Sequence, residues 1–196
     1  MGRPLLIHAC CGPCSLEPVR LLAEEGFEPT LCWVNPNVQP ASEHDLRLRT
    51  LRAWAAGEGI PVVEGACDRE AWERRVARHG TRREARCAAC YALRLEESCR
   101  VARGLGFDCL TTTLAVSPWQ LFDACGRELR RLCAAYGLEP VWRDFRPRYP
   151  EATRRSRELG MYRQSYCGCR FSAAEAALQR QAARDARREE RAHANR

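Results

Sequence analysis

The sequence predicts a single α/β domain in which a mostly parallel β-sheet carries helices on both faces. Short apolar runs recur along the 196 residues, and stretches of helical character separate them. No long linker or internal repeat interrupts this alternation, which favours a parallel sheet covered by helices. The length suits one domain, and 45% hydrophobic with 29% charged residues is the balance of a globular protein with a core.

The expected strands, in chain order, are segments 5–9, 30–34, 60–63, 109–112 and 140–142. The first runs directly into the turn Cys10-Cys11-Gly12-Pro13-Cys14, and the second runs into Asn35-Pro36-Asn37. In such a Rossmann-like sheet, ligands bind beyond the carboxyl ends of the strands. The cysteine turn therefore lies at the expected ligand crevice.

The last third of the chain contains two expected helices. Ser117 and Pro118 are expected to cap and open a helix that runs through Tyr136 and ends before Gly137. From about Ser172 the sequence is rich in Ala, Arg and Glu. We therefore divide the chain into a catalytic α/β domain over 1–172 and a C-terminal helix and tail over 173–196. Mixed charges favour a solvated helix over an RNA-binding arm.

The composition also predicts a compartment and a class of partner. No apolar run approaches the roughly 20 residues of a membrane span, and cysteines interrupt the start before a signal-peptide core forms. We expect a cytoplasmic protein with no membrane partner. All 32 basic residues are arginine, and the net charge is +7. Arginine grips phosphate and stacks on bases, which suits a nucleic-acid partner, although a high-GC genome explains the arginine bias equally well.

Thirteen cysteines indicate metal binding or redox catalysis, because disulfides are rare in reducing cytosol. Cys10 and Cys11 follow the first expected strand, and as neighbours they cannot both point into the core, so both can reach one cofactor. Cys87 and Cys90 lie at a helix entrance, where their spacing puts both sulfurs on one face. The two pairs predict a four-thiolate site for an iron–sulfur cluster, with tetrahedral zinc as the open alternative.

The third cluster, Cys167-Gly168-Cys169, has a different expected role. One intervening residue is too short for comfortable disulfide geometry, but glycine lets the backbone bend enough to close a strained bridge. Strained bridges are easily reduced, so this pair suits electron transfer, with ligation of a second metal as the alternative. The six remaining cysteines are expected to be mostly core residues: Cys32, Cys67, Cys99, Cys109, Cys125 and Cys133.

At these residues the chain resembles a known family, the cobalamin-independent epoxyqueuosine reductases called QueH, from Leu5 to about Ser172. The motifs that carry the resemblance are His8-Ala9-Cys10-Cys11-Gly12-Pro13-Cys14, Trp33-Val34-Asn35-Pro36-Asn37, Arg86-Cys87-Ala88-Ala89-Cys90-Tyr91 with Arg94-Leu95, Thr111-Thr112-Thr113-Leu114 with Ser117-Pro118-Trp119-Gln120, and Tyr162-Arg163-Gln164-Ser165-Tyr166-Cys167-Gly168-Cys169. The chain departs mildly from the family at Val38-Gln39-Pro40 and Glu43-His44, beside the thiol clusters. Those departures put only the substrate-loop contacts in doubt.

The resemblance implies an enzyme that removes the epoxide oxygen of epoxyqueuosine at the wobble position of transfer RNA, with two electrons and two protons, releasing water. It implies a [4Fe-4S] cluster on Cys10, Cys11, Cys87 and Cys90, and a redox-active pair in Cys167 and Cys169. An additional iron ion would be held by Cys14 or Cys169. The implied partners are a transfer RNA carrying epoxyqueuosine in its anticodon loop and an electron donor that the sequence does not identify.

Several polar residues could contact the base, sugar or phosphate of an unstacked anticodon loop. They are Asn35, Asn37, Arg94, Thr112, Ser117, Gln120, Tyr162, Arg163 and Gln164. Capping and turn formation explain Asn35, Asn37 and Ser117 equally well. The candidate proton donors are Tyr162, Tyr91 and His8, each with a purely structural role as its alternative.

Two other functions fit the same composition. A nucleotide-activating tRNA-modifying enzyme on a similar sheet would need a glycine-rich phosphate loop after the first strand, where this chain has cysteines. A non-catalytic zinc module that binds nucleic acid would be colourless, would contain zinc and would not accept electrons.

Overall fold

A computed structural model describes residues 2–194 of the chain. Its strands are β1 (Arg3–Ala9), β2 (Phe27–Trp33), β3 (Val62–Glu64), β4 (Cys109–Thr112) and β5 (Glu139–Pro140). They form one sheet in the order β3-β2-β1-β4-β5, and every neighbouring pair is parallel. The predicted α/β class with a parallel sheet is confirmed.

The α-helices of the described residues follow the strands in alternation. They are α1 (Gly12–Glu24), α2 (Ala41–Gly57), α3 (Arg69–Arg75), α4 (Arg83–Gly104), α5 (Phe122–Tyr136), α6 (Tyr149–Glu158) and α7 (Arg170–Ala194). Short 3₁₀ turns occupy Ala77–His79, Thr113–Val116 and Arg146–Arg148. None of the helices in residues 2–194 combines the length and the apolar character needed to cross a membrane.

The central strand β1 shows why the sheet is covered on both faces. Its residues Leu5, Leu6 and Ile7 are all fully buried, and successive side chains point to opposite faces. Leu5 and Ile7 pack into one core with apolar residues of α1 and α2. Leu6 packs into a second core with α4 and α5. An uninterrupted apolar run is therefore what a central parallel strand with two covered faces requires.

Helix α5 begins later than the sequence predicts. Ser117 does not cap it, because the Ser117 hydroxyl accepts the Trp119 amide two residues on (3.3 Å) and closes a separate turn, and α5 starts only at Phe122. The predicted end is right: Gly137 adopts the left-handed conformation, φ +65°, just after Tyr136.

The C-terminal helix α7 begins at Arg170, slightly before the expected start. Its first turns pack on the domain: Phe171 lies against Trp72, and Glu175 pairs with the buried Arg86 (2.5 Å). Beyond Gln179, every side chain that the structure describes is exposed. The end of the expected tail, Asn195 and Arg196, lies outside the described residues.

Candidate functional site

The site is built where β1 ends and α1 begins, at the carboxyl edge of the sheet. Cys10 follows the last strand residue, and Cys11 precedes α1 in extended backbone, so the chain turns sharply there. The sulfurs of Cys10, Cys11 and Cys14 all lie within 4.8 Å of one another, and those of Cys10 and Cys11 are 3.9 Å apart. Within residues 2–194 this triad is the one group of three His, Cys, Asp or Glu side chains so closely placed.

The three thiols of this triad differ in the direction in which their pKa is shifted. Hydrogen bonds from Cys11 and then Cys14 hold the pKa of the Cys10 thiol well below its usual value, against the opposing effect of burial. Burial and the neighbouring Cys10 raise the pKa of Cys11, and hydrogen bonding to Cys10 and Cys11 raises that of Cys14. Of the three thiols, Cys10 thus loses its proton most readily. A metal that displaced these protons would meet three converging thiolates.

Two side chains from distant segments donate to these sulfurs. Thr113 follows β4; its hydroxyl donates to the Cys10 sulfur (3.3 Å) and accepts the Cys10 amide (3.0 Å). The Gln164 side-chain amide donates to the Cys11 sulfur (2.8 Å). Outer hydrogen bonds of this kind orient metal ligands and tune the bound metal.

Cys87 and Cys90 lie together on α4, as their spacing predicts, but the structure does not bring them into the triad. Burial, and next the charge of Cys167, raise the pKa of Cys87 to about 12. Burial raises the pKa of Cys90 to about 11 against the opposing charge of Arg94. The fully buried Trp72 packs with Cys90, and its indole nitrogen has no hydrogen-bond partner among the described residues.

Cys167 interacts electrostatically both with Cys10 of the triad and with the α4 pair, Cys87 and Cys90. Although the residue is exposed, neighbouring loops crowd its sulfur, and this partial loss of water is the largest effect on the Cys167 thiol and raises its pKa; Arg94 and a hydrogen bond from Gln120 lower it, and Cys169 and Cys10 raise it. Cys167 is exposed and Cys169 is buried, and all thirteen cysteines are free thiols in this structure. The expected pair is therefore present in its dithiol form.

The loop that carries Cys167 and Cys169 is clamped from α2. The guanidinium of Arg47, itself buried, donates to the carbonyl oxygens of Cys167 (2.8 Å) and Tyr166 (3.2 Å) and to Glu43 (2.7 Å). Gly168 sits at φ +148°, where a Cβ would lie 2.8 Å from the Asn37 side-chain nitrogen. Only glycine fits this crossing without displacement.

The buried guanidinium of Arg94 interacts electrostatically with three of the thiols. The charges of Cys90, Cys167 and Cys10 raise the pKa of Arg94 against the opposing effect of burial. Arg94 is held by donating to the Asn35 side-chain oxygen (2.5 Å), and Asn35 in turn donates to the carbonyl of Ala9 (2.9 Å). Arg94 thus compensates negative charge that would otherwise be costly to bury.

The nine predicted substrate residues fall into two groups. Asn35, Thr112 and Arg94 are fully or almost fully buried, and each is bonded within the protein. In this structure they support the thiols from beneath. The other six lie in the loops before α2 and α5 and in the loop that carries Cys167: Asn37, Ser117, Gln120, Tyr162, Arg163 and Gln164. Two of these side chains, Asn37 and Gln164, have a buried oxygen without a partner among the described residues.

The three candidate proton donors differ sharply in environment. Burial, and next the charge of Arg94, lower the pKa of His8 to about 3, so this imidazole is neutral at physiological pH and is not an acid there. Burial raises the pKa of Tyr91, and burial with Glu43 raises that of Tyr162 to about 12. Tyr91 donates to Gln120 (2.9 Å), whose amide nitrogen lies 3.4 Å from the Cys167 sulfur. Tyr91 thus keeps its proton and is linked to the exposed thiol through Gln120.

Sequence reasoning missed Arg47, Thr113 and Trp72. Arg47 follows Glu43 at the i, i+4 spacing of an ordinary surface ion pair, so only its burial distinguishes it. Thr113 stood within a quoted motif but without a role. A cavity of about 620 Å³ is no guide to the site, because its lining includes Val19, Phe27 and Trp54 but none of the predicted site residues.

Comparisons with known proteins show the family to which the chain is similar. The family model described as "Epoxyqueuosine reductase QueH" matches residues 5–175. A protein of that name from Dehalococcoides mccartyi is 30% identical over 173 residues, which cover 88% of this chain and 93% of that protein. Its namesakes from Thermotoga maritima and Haemophilus influenzae are 32% and 31% identical, covering 86% of this chain and 89% and 71% of theirs.

A solved structure supports the fold alone. It is titled as a predicted subunit of a tRNA methyltransferase from Methanocaldococcus jannaschii, and it superposes with a TM-score of 0.57 at 13% identity. The superposition covers 80% of this chain and 75% of that one.

Proposed function

Because the chain belongs to the QueH family of epoxyqueuosine reductases, we propose that it reduces epoxyqueuosine in transfer RNA to queuosine. The two C–O bonds of the epoxide break, a C=C bond forms, and the oxygen leaves as water after taking up two electrons and two protons. The observation that carries this proposal is the convergence of the Cys10, Cys11 and Cys14 thiols beside the exposed Cys167 loop, at the carboxyl edge of the sheet. The electrons come from an external donor.

The cofactor belongs to the same proposal. We assign a [4Fe-4S] cluster to Cys10, Cys11, Cys87 and Cys90, with Cys14 as the thiol that binds an additional iron. Buried thiols, a compensating Arg94 and donors to the sulfurs supply what such a cluster needs. The 3.9 Å sulfur separation of Cys10 and Cys11 also suits one tetrahedral ion, since metal–sulfur bonds of about 2.3 Å place ligands about 3.8 Å apart. Zinc is therefore the alternative occupant.

When bound, the cluster would supply electrons one at a time, and the iron would polarise the epoxide oxygen. The chain's own residues do the rest. Arg47 presents Cys167 and Cys169 at the crevice, where oxidation of the two thiols to a disulfide releases the two electrons and two protons that the epoxide takes up. The external donor then supplies the two electrons that return the disulfide to the dithiol. Tyr91, which stays protonated at neutral pH, holds Gln120 against Cys167. Tyr162, exposed in part, is the second candidate to hold a proton near the leaving oxygen.

Anaerobic purification tests the cofactor. We expect a brown protein with about four acid-labile sulfides and about five irons per chain, four in the cluster and one on Cys14, and loss of the cluster iron and sulfide in Cys87→Ser and Cys90→Ser, because a hydroxyl replaces thiolate poorly on iron. Cys14→Ser should keep the sulfide and lose only the additional iron. Cys67→Ser is the matched control, since Cys67 is exposed and outside the site. Stoichiometric zinc without sulfide would reject the assignment.

The activity is measured separately. Epoxyqueuosine-containing transfer RNA is incubated with reduced protein, digested to nucleosides and analysed by mass spectrometry. Conversion to queuosine by the wild type and by Cys67→Ser, but not by Cys87→Ser, supports the proposed function. No conversion by a cluster-loaded wild type under excess reductant would contradict it.

A further inference from the structure

Trp119 stands out among the five tryptophans because its side chain is 65% exposed, whereas the other four are buried or half-buried. Single exposed apolar side chains are common and need no explanation by themselves. What distinguishes Trp119 is its position. It directly precedes Gln120, whose side-chain amide lies 3.4 Å from the sulfur of Cys167. A flat aromatic surface therefore lies at the mouth of the proposed reductive site.

The backbone that presents this indole is fixed on both sides. Ser117 accepts the Trp119 amide (3.3 Å), and the guanidinium of Arg83 donates to the Trp119 carbonyl (2.8 Å). Two residues after Trp119, the Leu121 amide donates to the hydroxyl of the buried Tyr91 (3.0 Å). A side chain held out from an anchored loop loses little conformational entropy when it binds a ligand.

Positive charge lies beside Trp119. Arg83, the first residue of α4, contacts this loop through the Trp119 carbonyl, and Arg82 precedes it in the chain; both are exposed, and neither forms an ion pair among residues 2–194. Elsewhere on the surface, arginines pair repeatedly with glutamates of the same helix. Unpaired arginines next to an exposed aromatic ring form the combination that single-stranded nucleic acid binds, with phosphate on the charge and a base on the ring.

We propose that Trp119 is a stacking platform for an unpaired base that flanks the reacting base in the anticodon loop. This inference rests on the proposed function. Stacking would hold the loop open and orient its neighbour toward Cys167. Proteins recognise unstacked loop bases in this way, because every base offers a flat face to an aromatic ring.

The test measures binding, with an unmodified anticodon stem-loop hairpin as the probe and fluorescence anisotropy as the readout. Trp119→Ala should weaken binding about tenfold or more, the range of one lost base–aromatic contact, while Trp119→Phe should retain most of the affinity. Leu105→Ala is the matched control, because Leu105 is 56% exposed but lies at the far end of α4. It should leave affinity unchanged.

A second hairpin, with the flanking base removed to leave an abasic sugar, isolates the contact. It should weaken binding by the wild type but add little to the loss in Trp119→Ala, because both changes delete the same interaction. Wild-type affinity retained by Trp119→Ala, or an equal abasic penalty in both proteins, would overturn the proposal. Iron content and melting temperature of each variant show whether it is folded and loaded.

The two proposals fail separately. A wild type that binds the hairpin through Trp119 but converts no epoxyqueuosine keeps the stacking platform and loses the proposed function. A wild type that converts epoxyqueuosine while Trp119→Ala binds normally keeps the function and loses the platform.

Discussion

At the scale of single residues, Arg47 is the most consequential side chain that motif reasoning did not find. A buried guanidinium that donates to two carbonyl oxygens of one loop uses the planar fork that lysine lacks. Its ring contact with Tyr166, 5.1 Å from guanidinium carbon to ring centre, closes the same loop from the side. The position of Cys167 therefore depends on a residue 120 positions earlier in the chain.

We predict that Arg47→Lys lowers epoxyqueuosine conversion about tenfold or more while the iron content stays unchanged. A lysine ammonium is a point charge and cannot hold both carbonyl oxygens in the plane that Arg47 defines. The rate of Cys167 alkylation by iodoacetamide should change with it, which separates loop position from simple loss of stability. Arg49→Lys, exposed on the same helix, is the control. Unaltered conversion in Arg47→Lys would show that the clamp does not position the thiols.

A second residue-scale prediction concerns the thiol pair itself. Cys167→Ser should keep the full cluster and abolish conversion, because loss of a redox relay leaves the cofactor in place, whereas loss of a ligand removes it. Cys169→Ser should behave likewise unless Cys169 also binds iron. Iron, sulfide and nucleoside analysis of the two variants give the answer. Loss of cluster in both would reassign the pair as metal ligands.

At the scale of secondary-structure elements, α1 is held to α6 by an ion pair of a buried carboxylate. Glu17 on α1 is fully buried, and it accepts hydrogen bonds from Arg20 (2.8 Å) and from Arg155 on α6 (2.7 Å). Burial on its own raises the pKa of Glu17, but the hydrogen bonds and charges of Arg20 and Arg155 outweigh it and hold the pKa below its usual value.

We predict that Arg155→Ala costs about 2 kcal/mol of unfolding free energy, the usual loss for a hydrogen bond to a buried charge. Because the folded-state pKa of Glu17 is depressed, this contribution is present above the unfolded pKa of about 4.5 and is lost as pH falls below it. The difference from wild type should therefore shrink in acid. Urea titrations at neutral and acidic pH measure it. Arg154→Ala, which breaks only exposed pairs on α6, should leave the urea midpoint unchanged.

Elements also show where sequence patterns suffice and where they do not. Apolar runs located every strand. Burial on both faces demands such runs in β1 and β4, and Gly137 marked the end of α5 by its backbone preference. The start of α5 was missed because Ser117 closes a turn with the same chemistry it would use as a helix cap. Local sequence does not distinguish a turn from a helix cap at Ser117. The distinction comes from a tertiary contact, because Arg83 of another helix donates to the Trp119 carbonyl and anchors the turn.

At the scale of the whole molecule, the site collects groups from the beginning, middle and end of the chain. The clusters that hold thiols were visible as motifs because cysteine spacing is local. Their arrangement was not, since the burial of Arg94 and the donor from Gln164 to Cys11 depend on how the sheet brings distant loops to one edge. For the same reason, the sequence did not show that three of the predicted substrate residues, Asn35, Thr112 and Arg94, are buried.

The last question at this scale is whether the distal part of α7 takes part in RNA binding. Its first turns are tied to the domain, and Arg180 reaches back to the carbonyl of Ser165 (3.4 Å). Residues 181–196 carry five arginines but also three acidic side chains. Mixed charge along an exposed helix is typical of a solvated surface, and a small net charge contributes little to phosphate binding.

We predict that a chain ending after Arg180 keeps the melting temperature, the transfer RNA affinity and the salt dependence of the wild type. Each phosphate contact removed would lower the slope of log affinity against log salt by about 0.7 to 0.9, so the slope detects an arm that a single affinity value would miss. Binding is measured over a series of salt concentrations with the hairpin and with full-length transfer RNA. An unchanged slope for the hairpin with a lower slope for the full-length RNA would make distal α7 an arm that reaches beyond the anticodon stem, and would contradict the prediction.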